Sequence, residues 1–195
     1  MTMTGAPSPQ SRNADLQERR MVFRVAREWV ILKRQKPYPS INHLHPSTFS
    51  TDWNWCLIAR SLSDIDTPTK DRLEFEFVGG SFHEDAPSCV AGTRLDSVPY
   101  RSRLRFATEF VAKMFELRTA IISHGIFVWS NAENIRYRTI IFPFSDNAGA
   151  LKYAVGAFSH VLTTDGAAAQ PGTTGLLAFR SGHWHAVEDI PSTRP

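Results

Sequence analysis

The residues of this chain whose spacing invites chemistry are its histidines and cysteines. His43 and His45 form one His-x-His pair, and His183 and His185 form another. On a strand, such a pair sets both imidazoles on one side, which is how a metal site often begins. A metal centre also wants a third and fourth ligand from His, Cys or a carboxylate. His43 and His45 fall in a proline-rich connector, and His183 and His185 flank Trp184 near the end of the chain, so polar surface is the better account of both. Cys56 and Cys89 belong to no Cys-x-x-Cys or zinc pattern. They read as reduced, half-buried thiols of a cytoplasmic protein. Cys89 sits in Pro87-Ser88-Cys89-Val90, without the Asn, Arg and Gln neighbours that flavin–thiol photochemistry requires. There is no Gly-x-Ser-x-Gly elbow for a serine hydrolase and no phosphate-cradling Gly-x-x-x-x-Gly-Lys-Ser/Thr. With no nucleophile–base pair or carboxylate pair to name, the expectation is a protein that binds and is not an enzyme.

The elements that would position a binding site are clearer. The chain has 195 residues, of which 42% are hydrophobic, 21% charged and 11% aromatic. That suits one globular domain with some residues left for termini. It excludes a disordered chain, a collagen and a disulfide scaffold. No apolar run approaches the ~18 residues of a membrane span. The opening stretch, MTMTGAPSPQSRNAD, has no apolar core and does not read as a secretory signal. Lys and Arg number 22 against 19 Asp and Glu, a formal net charge of +3. The cations gather mainly at Arg19, Arg20, Arg24, Arg27, Lys33, Arg34 and Lys36, and again at Arg101, Arg103 and Arg105. Solvated helix faces account for both groups better than a nucleic-acid footprint, which needs its charges on one face.

Residues 1–13 are rich in Ser, Pro, Gly and Asn and are expected to be disordered. The spacing predicts an amphipathic helix over 14–36, with Val22, Val25, Ala26, Trp29 and Leu32 as one stripe and Met21, Phe23, Val30 and Ile31 as a second. Pro37 and Pro39 stop it. Period-two patterning predicts strands over 53–62 and 73–82, and Gly79-Gly80 suggests a bulge or a close backbone approach. Residues 83–100 read as loop with at most one short helix. A second helix is predicted over 101–118, apolar on two sides through Leu104, Ala107, Val111, Met114 and Phe115, and through Phe106, Phe110 and Leu117. Strands over 120–129, 135–144 and 151–162 follow, joined by short turn-like connectors. Residues 163–195 read as a mostly disordered tail. The fold class is therefore α+β: a five-stranded antiparallel sheet with helices on one face, plus an N-terminal helix.

This succession resembles the PAS domain, and residues 37–162 would form it. The chain is similar in particular to the free-standing bacterial PAS-like proteins. The resemblance rests on Trp29-Val30-Ile31-Leu32-Lys33 ending the first helix, on Pro37-Tyr38-Pro39-Ser40 through His45-Pro46, and on Asp52-Trp53-Asn54-Trp55-Cys56. It continues with Phe75-Glu76-Phe77-Val78-Gly79, with Tyr137-Arg138 through Pro143, Ser145 and Asp146, and with Val155-Gly156-Ala157. It implies a non-enzymatic sensory or regulatory protein of bacterial signal transduction, acting by protein–protein interaction and dimerisation. The alternative it implies is a small-ligand sensor for a metabolite, nucleotide or haem-like cofactor; no cofactor is indicated by a motif. A PAS pocket would lie between sheet and helices. Phe77, Phe82, Phe106, Phe110, Phe115, Phe127 and Trp129 could line it, with His83, Arg94, His124 and Tyr137 as the polar groups. Close packing of these aromatics is the competing account. A haem would draw its ligand from His83, His124 or His160. The apolar excess of the first helix assigns dimerisation to Val22, Val25, Trp29 and Leu32. The expected partners are a second copy, an unidentified protein and a small molecule, without nucleic acid or a membrane span.

Overall fold

The computed structural model describes residues 21, 24–45, 47, 50–63, 68–128, 134–163, 175–180 and 183–187. The disorder expected of residues 1–13 lies outside them. Helix α1 runs over 24–33, with Met21 helical ahead of it. Met21, Val25 and Trp29 recur every fourth residue, so they share a face, and that face is buried. The helix ends as Arg34 turns left-handed (φ 49°) ahead of Pro37.

Seven strands follow among the described residues: β1 (Cys56–Ser61), β2 (Leu73–Val78), β3 (Ile121–Val128), β4 (Asn134–Ser145), β5 (Leu151–Thr163), β6 (Gly175–Arg180) and β7 (His183–Ala186). They form one sheet in the order β2-β1-β5-β4-β3-β6-β7, with every pairing antiparallel. Three expectations are corrected. The sheet has seven strands rather than five, because part of the segment read as a disordered tail pairs onto β3 as β6 and turns back as β7. The Ala, Gly and Thr residues before them hid that hairpin. The helix predicted over 101–118 is two short ones, α2 (Arg103–Thr108) and α3 (Val111–Leu117). The buried Thr108 hydroxyl donates to the carbonyls of Leu104 (2.9 Å) and Arg105 (3.2 Å), competing with the backbone ladder where the helix breaks. Finally, residues 50–55 form a turn of 3-10 helix, so β1 starts at Cys56 and not at Trp53.

Local chemistry explains the turns. Between β4 and β5, the Asp146 carboxylate accepts from the backbone N–H of Ala148 and of Ala150, both at 2.9 Å, and Gly149 takes φ +86°. Gly79 lies so close to the carbonyls of Trp53 and Asn54 that a Cβ there would overlap them, whereas Gly80 has ordinary room. Segment 92–94 runs along the outer side of β2: Phe75 donates to the Thr93 carbonyl (2.9 Å) and Gly92 donates to that of Phe75 (2.7 Å).

Period-two alternation gives the sheet two apolar faces. Leu57, Ala59, Phe75, Ile121, Phe127, Ile135, Tyr137, Ile141 and Phe158 face α2, α3 and the 3-10 turn Gly80–Glu84. Cys56, Ile140, Phe142, Phe144, Val155 and Ala157 face α1. The helices thus lie on both sides of the sheet, with Ile41, Leu44 and Trp53 packing beside α1 on its side.

Candidate functional site

The site is best built from the floor of the sheet on the α2–α3 side. Strand register sets Gly125 opposite Tyr137 and Tyr137 opposite His160. One row on, Ser123 lies opposite Thr139, and Thr139 opposite Phe158. Gly125 has no side chain because the Tyr137 ring occupies its place: a Cβ there would come within 3.0 Å of the ring. Above this floor Phe106 of α2 stacks on Phe127 (centroids 3.8 Å apart, 12° between planes) and tilts against Tyr137 at 5.2 Å. Tyr137 stacks in turn on Phe158 at 6.0 Å. Phe158 continues the chain of rings to Phe82 (5.9 Å), Trp55 (6.0 Å) and His160 (5.6 Å). Pairs at such spacing hold together beyond their area burial by about 0.5–1.5 kcal/mol each.

Two polar features interrupt this apolar belt. The first is the Ser123–Thr139 pair. Both residues are buried, and both hydroxyl oxygens lack a hydrogen-bond partner. A buried hydroxyl left unsatisfied costs roughly 1–3 kcal/mol, so two as cross-strand neighbours are an unusual expense in an otherwise apolar floor.

The second is a charged cluster at the rim. Ser102 caps α2 by accepting from the Arg105 N–H. That places Arg103 so that its backbone N–H (3.0 Å) and its Nε (2.8 Å) both donate to one oxygen of Asp85, while a terminal nitrogen reaches Glu84 at 2.7 Å. The guanidinium lies 5.1 Å from the centre of the Trp55 ring, within cation–π range. Asp85's other oxygen is buried without a partner. The His160 imidazole packs edge-on to Trp55 at 4.7 Å. Burial, and then the Arg103 charge, hold its pKa down to about 4 against the opposing pull of Asp85 and Glu84. The rim therefore presents one cation, two carboxylates and a neutral imidazole. Cys89 is buried nearby in the same core, and burial pushes its thiol pKa up, which suits an inert packing role.

Of the residues the sequence singled out, Phe82, Phe106, Phe110, Phe115, Phe127 and Tyr137 do meet in the helix-side core. Phe77 does not: a register shift in the β1–β2 pairing turns it to the α1 side, where Trp53 meets it edge-on at 5.4 Å. His83 is exposed on the Gly80–Glu84 turn. Arg94 is exposed at the outer side of β2, donating to the Asp71 carbonyl and pairing with Asp71 and Asp96. His124 alternates onto the α1 side. Trp129 lies outside the described residues. Of the three histidines offered to a haem, His160 alone stands on the helix-side floor. The residues expected to dimerise lie against the chain's own sheet where they are described. Val25 and Trp29 are buried on the chain's own sheet, Leu32 packs beside them half-buried, and Val22 lies outside the described residues. Val30 and Ile31 are the exposed apolar side chains of α1, each 52% accessible.

Sequence reasoning missed Trp55, Asp85, Arg103, Ser123 and Thr139 as site members. A signal existed for the hydroxyls: Ser123 sits between Ile121 and Phe127 in the inward alternation of β3, where an apolar residue is expected. No sequence signal pairs Asp85 with Arg103, because the connection from turn to helix sets it. Among the described residues, no group of three or more His, Cys, Asp or Glu is placed to hold a metal ion, and no helix is long and apolar enough to cross a membrane. No protein-family model matches the chain, and no curated protein matches it.

Proposed function

We propose that this is a PAS-like sensory protein that works by binding, its input a small planar molecule with a polar substituent, received between α2 and the β3–β4–β5 floor. The strand succession β2-β1-β5-β4-β3, with the short helices between β2 and β3 crossing one face, supports the PAS-like reading. The observation that carries the ligand reading is the pair of unpartnered hydroxyls, Ser123 and Thr139, beneath a belt of rings. A ring would stack with Phe106, Phe127 and Tyr137, and its polar group would satisfy the hydroxyls. The break between α2 and α3 is where the cover would open.

Native mass spectrometry of the full chain and thermal shifts against haem, flavin, nucleotides and aromatic metabolites test this. A binder present at a hundredfold over its Kd stabilises the fold by about 2.7 kcal/mol. Ser123→Ala with Thr139→Val should abolish that shift while leaving the melting temperature equal or higher, since removing an unsatisfied hydroxyl removes its cost. No bound mass and no shift across the panel, or unchanged binding by the double variant, overturns the ligand reading. A second reading, as an interaction module, is favoured by Arg136 and Arg138 of β4, which alternate onto the opposite face of the sheet from Tyr137.

A further inference from the structure

Among the described residues, the α1 side of the sheet is covered only in part. α1 lies over Ile140, Phe142, Phe144, Val155 and Ala157. Beyond it, strand register lays out two adjacent rows, His124–Arg138–Ser159 and Ile126–Arg136–Val161. His124 and Arg136 are exposed, and the other four are half-buried. Among the described residues, no ion pair or hydrogen bond engages the Arg136 or Arg138 side chain. The far end of the same face is different: there Arg60 is bracketed by Glu74 and Glu76 of β2. One end is compensated and the other is not.

We infer that this uncovered corner is a docking surface for an acidic protein segment. Charge complementarity sets the occupant. The backbone positions of Arg136 and Arg138, two residues apart on one strand, are about 6.6–6.8 Å apart along it, which is the spacing of alternate residues in an extended chain. An extended segment with carboxylates at alternate positions can therefore meet Arg136 and Arg138 together, each guanidinium gripping one carboxylate through paired N–H donors. His124 adds a further donor beside Arg138. Ile126 and Val161 flank Arg136 with aliphatic surface, which suits the apolar neighbours of such a segment. A single-stranded nucleic acid fits less well, because the two rows hold no Phe, Tyr or Trp on which bases could stack. This surface stands whether or not the opposite face takes a ligand.

The test is fluorescence anisotropy of the full chain with a labelled peptide alternating Glu with Leu and Val. Beside it run the same peptide with Gln for Glu, a labelled oligothymidylate, and phosphatidylserine vesicles. The acidic peptide should bind, weaken with added salt, and lose binding when Gln replaces Glu. Arg136→Glu with Arg138→Glu should weaken it about tenfold or more, since like charges then oppose. Arg101→Glu with Lys36→Glu makes the same change in net charge elsewhere and should weaken it much less. Arg136→Gln with Arg138→Gln, checked by its melting curve, removes the donors without adding repulsion and should also lose affinity. Absence of peptide binding, tighter binding of the oligonucleotide or of the vesicles, or equal losses in the two charge-reversed pairs overturns the proposal.

Discussion

Gly79 and Gly80 are neighbours with opposite demands, and together they isolate backbone crowding from everything else. A Cβ at Gly79 would overlap the carbonyls of Trp53 and Asn54, and the Gly79 N–H already donates to the Cys56 carbonyl at 2.9 Å, so the chain cannot step aside. Gly80→Ala meets only the Asn54 side chain, at 3.7 Å. Gly79→Ala should therefore destabilise by about 2 kcal/mol or more and Gly80→Ala by less than about 0.5 kcal/mol, read as urea midpoints. Equal losses would mean the crowding is not there. His160 makes a second prediction at this scale. Its folded pKa, about 4, lies below the ordinary 6.5. Between those values the unfolded chain binds a proton that the folded chain refuses. The contribution is complete above about pH 6.5 and is lost as the pH falls toward 4. The loss is at most about 3 kcal/mol, reduced by the ring's partial exposure. Denaturation of His160→Phe should lack this part of the acid sensitivity. Parallel pH profiles for wild type and variant would show that the imidazole is not the group responsible.

Helix α1 behaves as part of the core. Trp29 stacks on Phe142 at 5.3 Å, and its indole N–H donates to the Pro143 carbonyl at 3.1 Å. Trp29→Phe keeps the ring contact and strands the carbonyl, an expected cost of about 1–2 kcal/mol. Trp29→Ala should cost about 3–5 kcal/mol. Chemical denaturation followed by circular dichroism reads both, and a Trp29→Ala variant as stable as wild type would show that the helix does not dock as described. Removing residues 1–36 should uncover Phe142 and Phe144 and lose folded protein, whatever the mass of the intact particle. The amphipathic pattern of this helix was legible from spacing alone, but its target was not. The stripe Val25–Trp29 fits a partner chain and the chain's own sheet equally well in sequence. The choice is made by Ile140, Phe142 and Val155, more than a hundred residues away. The α2–α3 break was illegible for a related reason. Ala107-Thr108-Glu109-Phe110 contains neither Gly nor Pro, and a hydroxyl folding back on Leu104 leaves no compositional trace.

At the scale of the molecule, strands β1 to β5 announced themselves through period-two alternation, which the register shift in the β1–β2 pairing interrupts. The β6–β7 pair did not. Alanine, glycine, threonine and proline crowd the sequence before it, and its pairing with β3 is visible only once β3 has a free side. Half of the helix-side site was legible as an aromatic inventory; Phe77 was misassigned because one register shift moves a side chain to the other face. The charged rim was beyond reading, since Asp85 and Arg103 belong to different elements. The rail of backbone that Thr93 and Gly92 lay beside Phe75 has its own outcome. It occupies amide and carbonyl groups that β2 would otherwise offer to a stranger's strand. Where the rail runs, templated stacking of one molecule upon another is foreclosed on that flank.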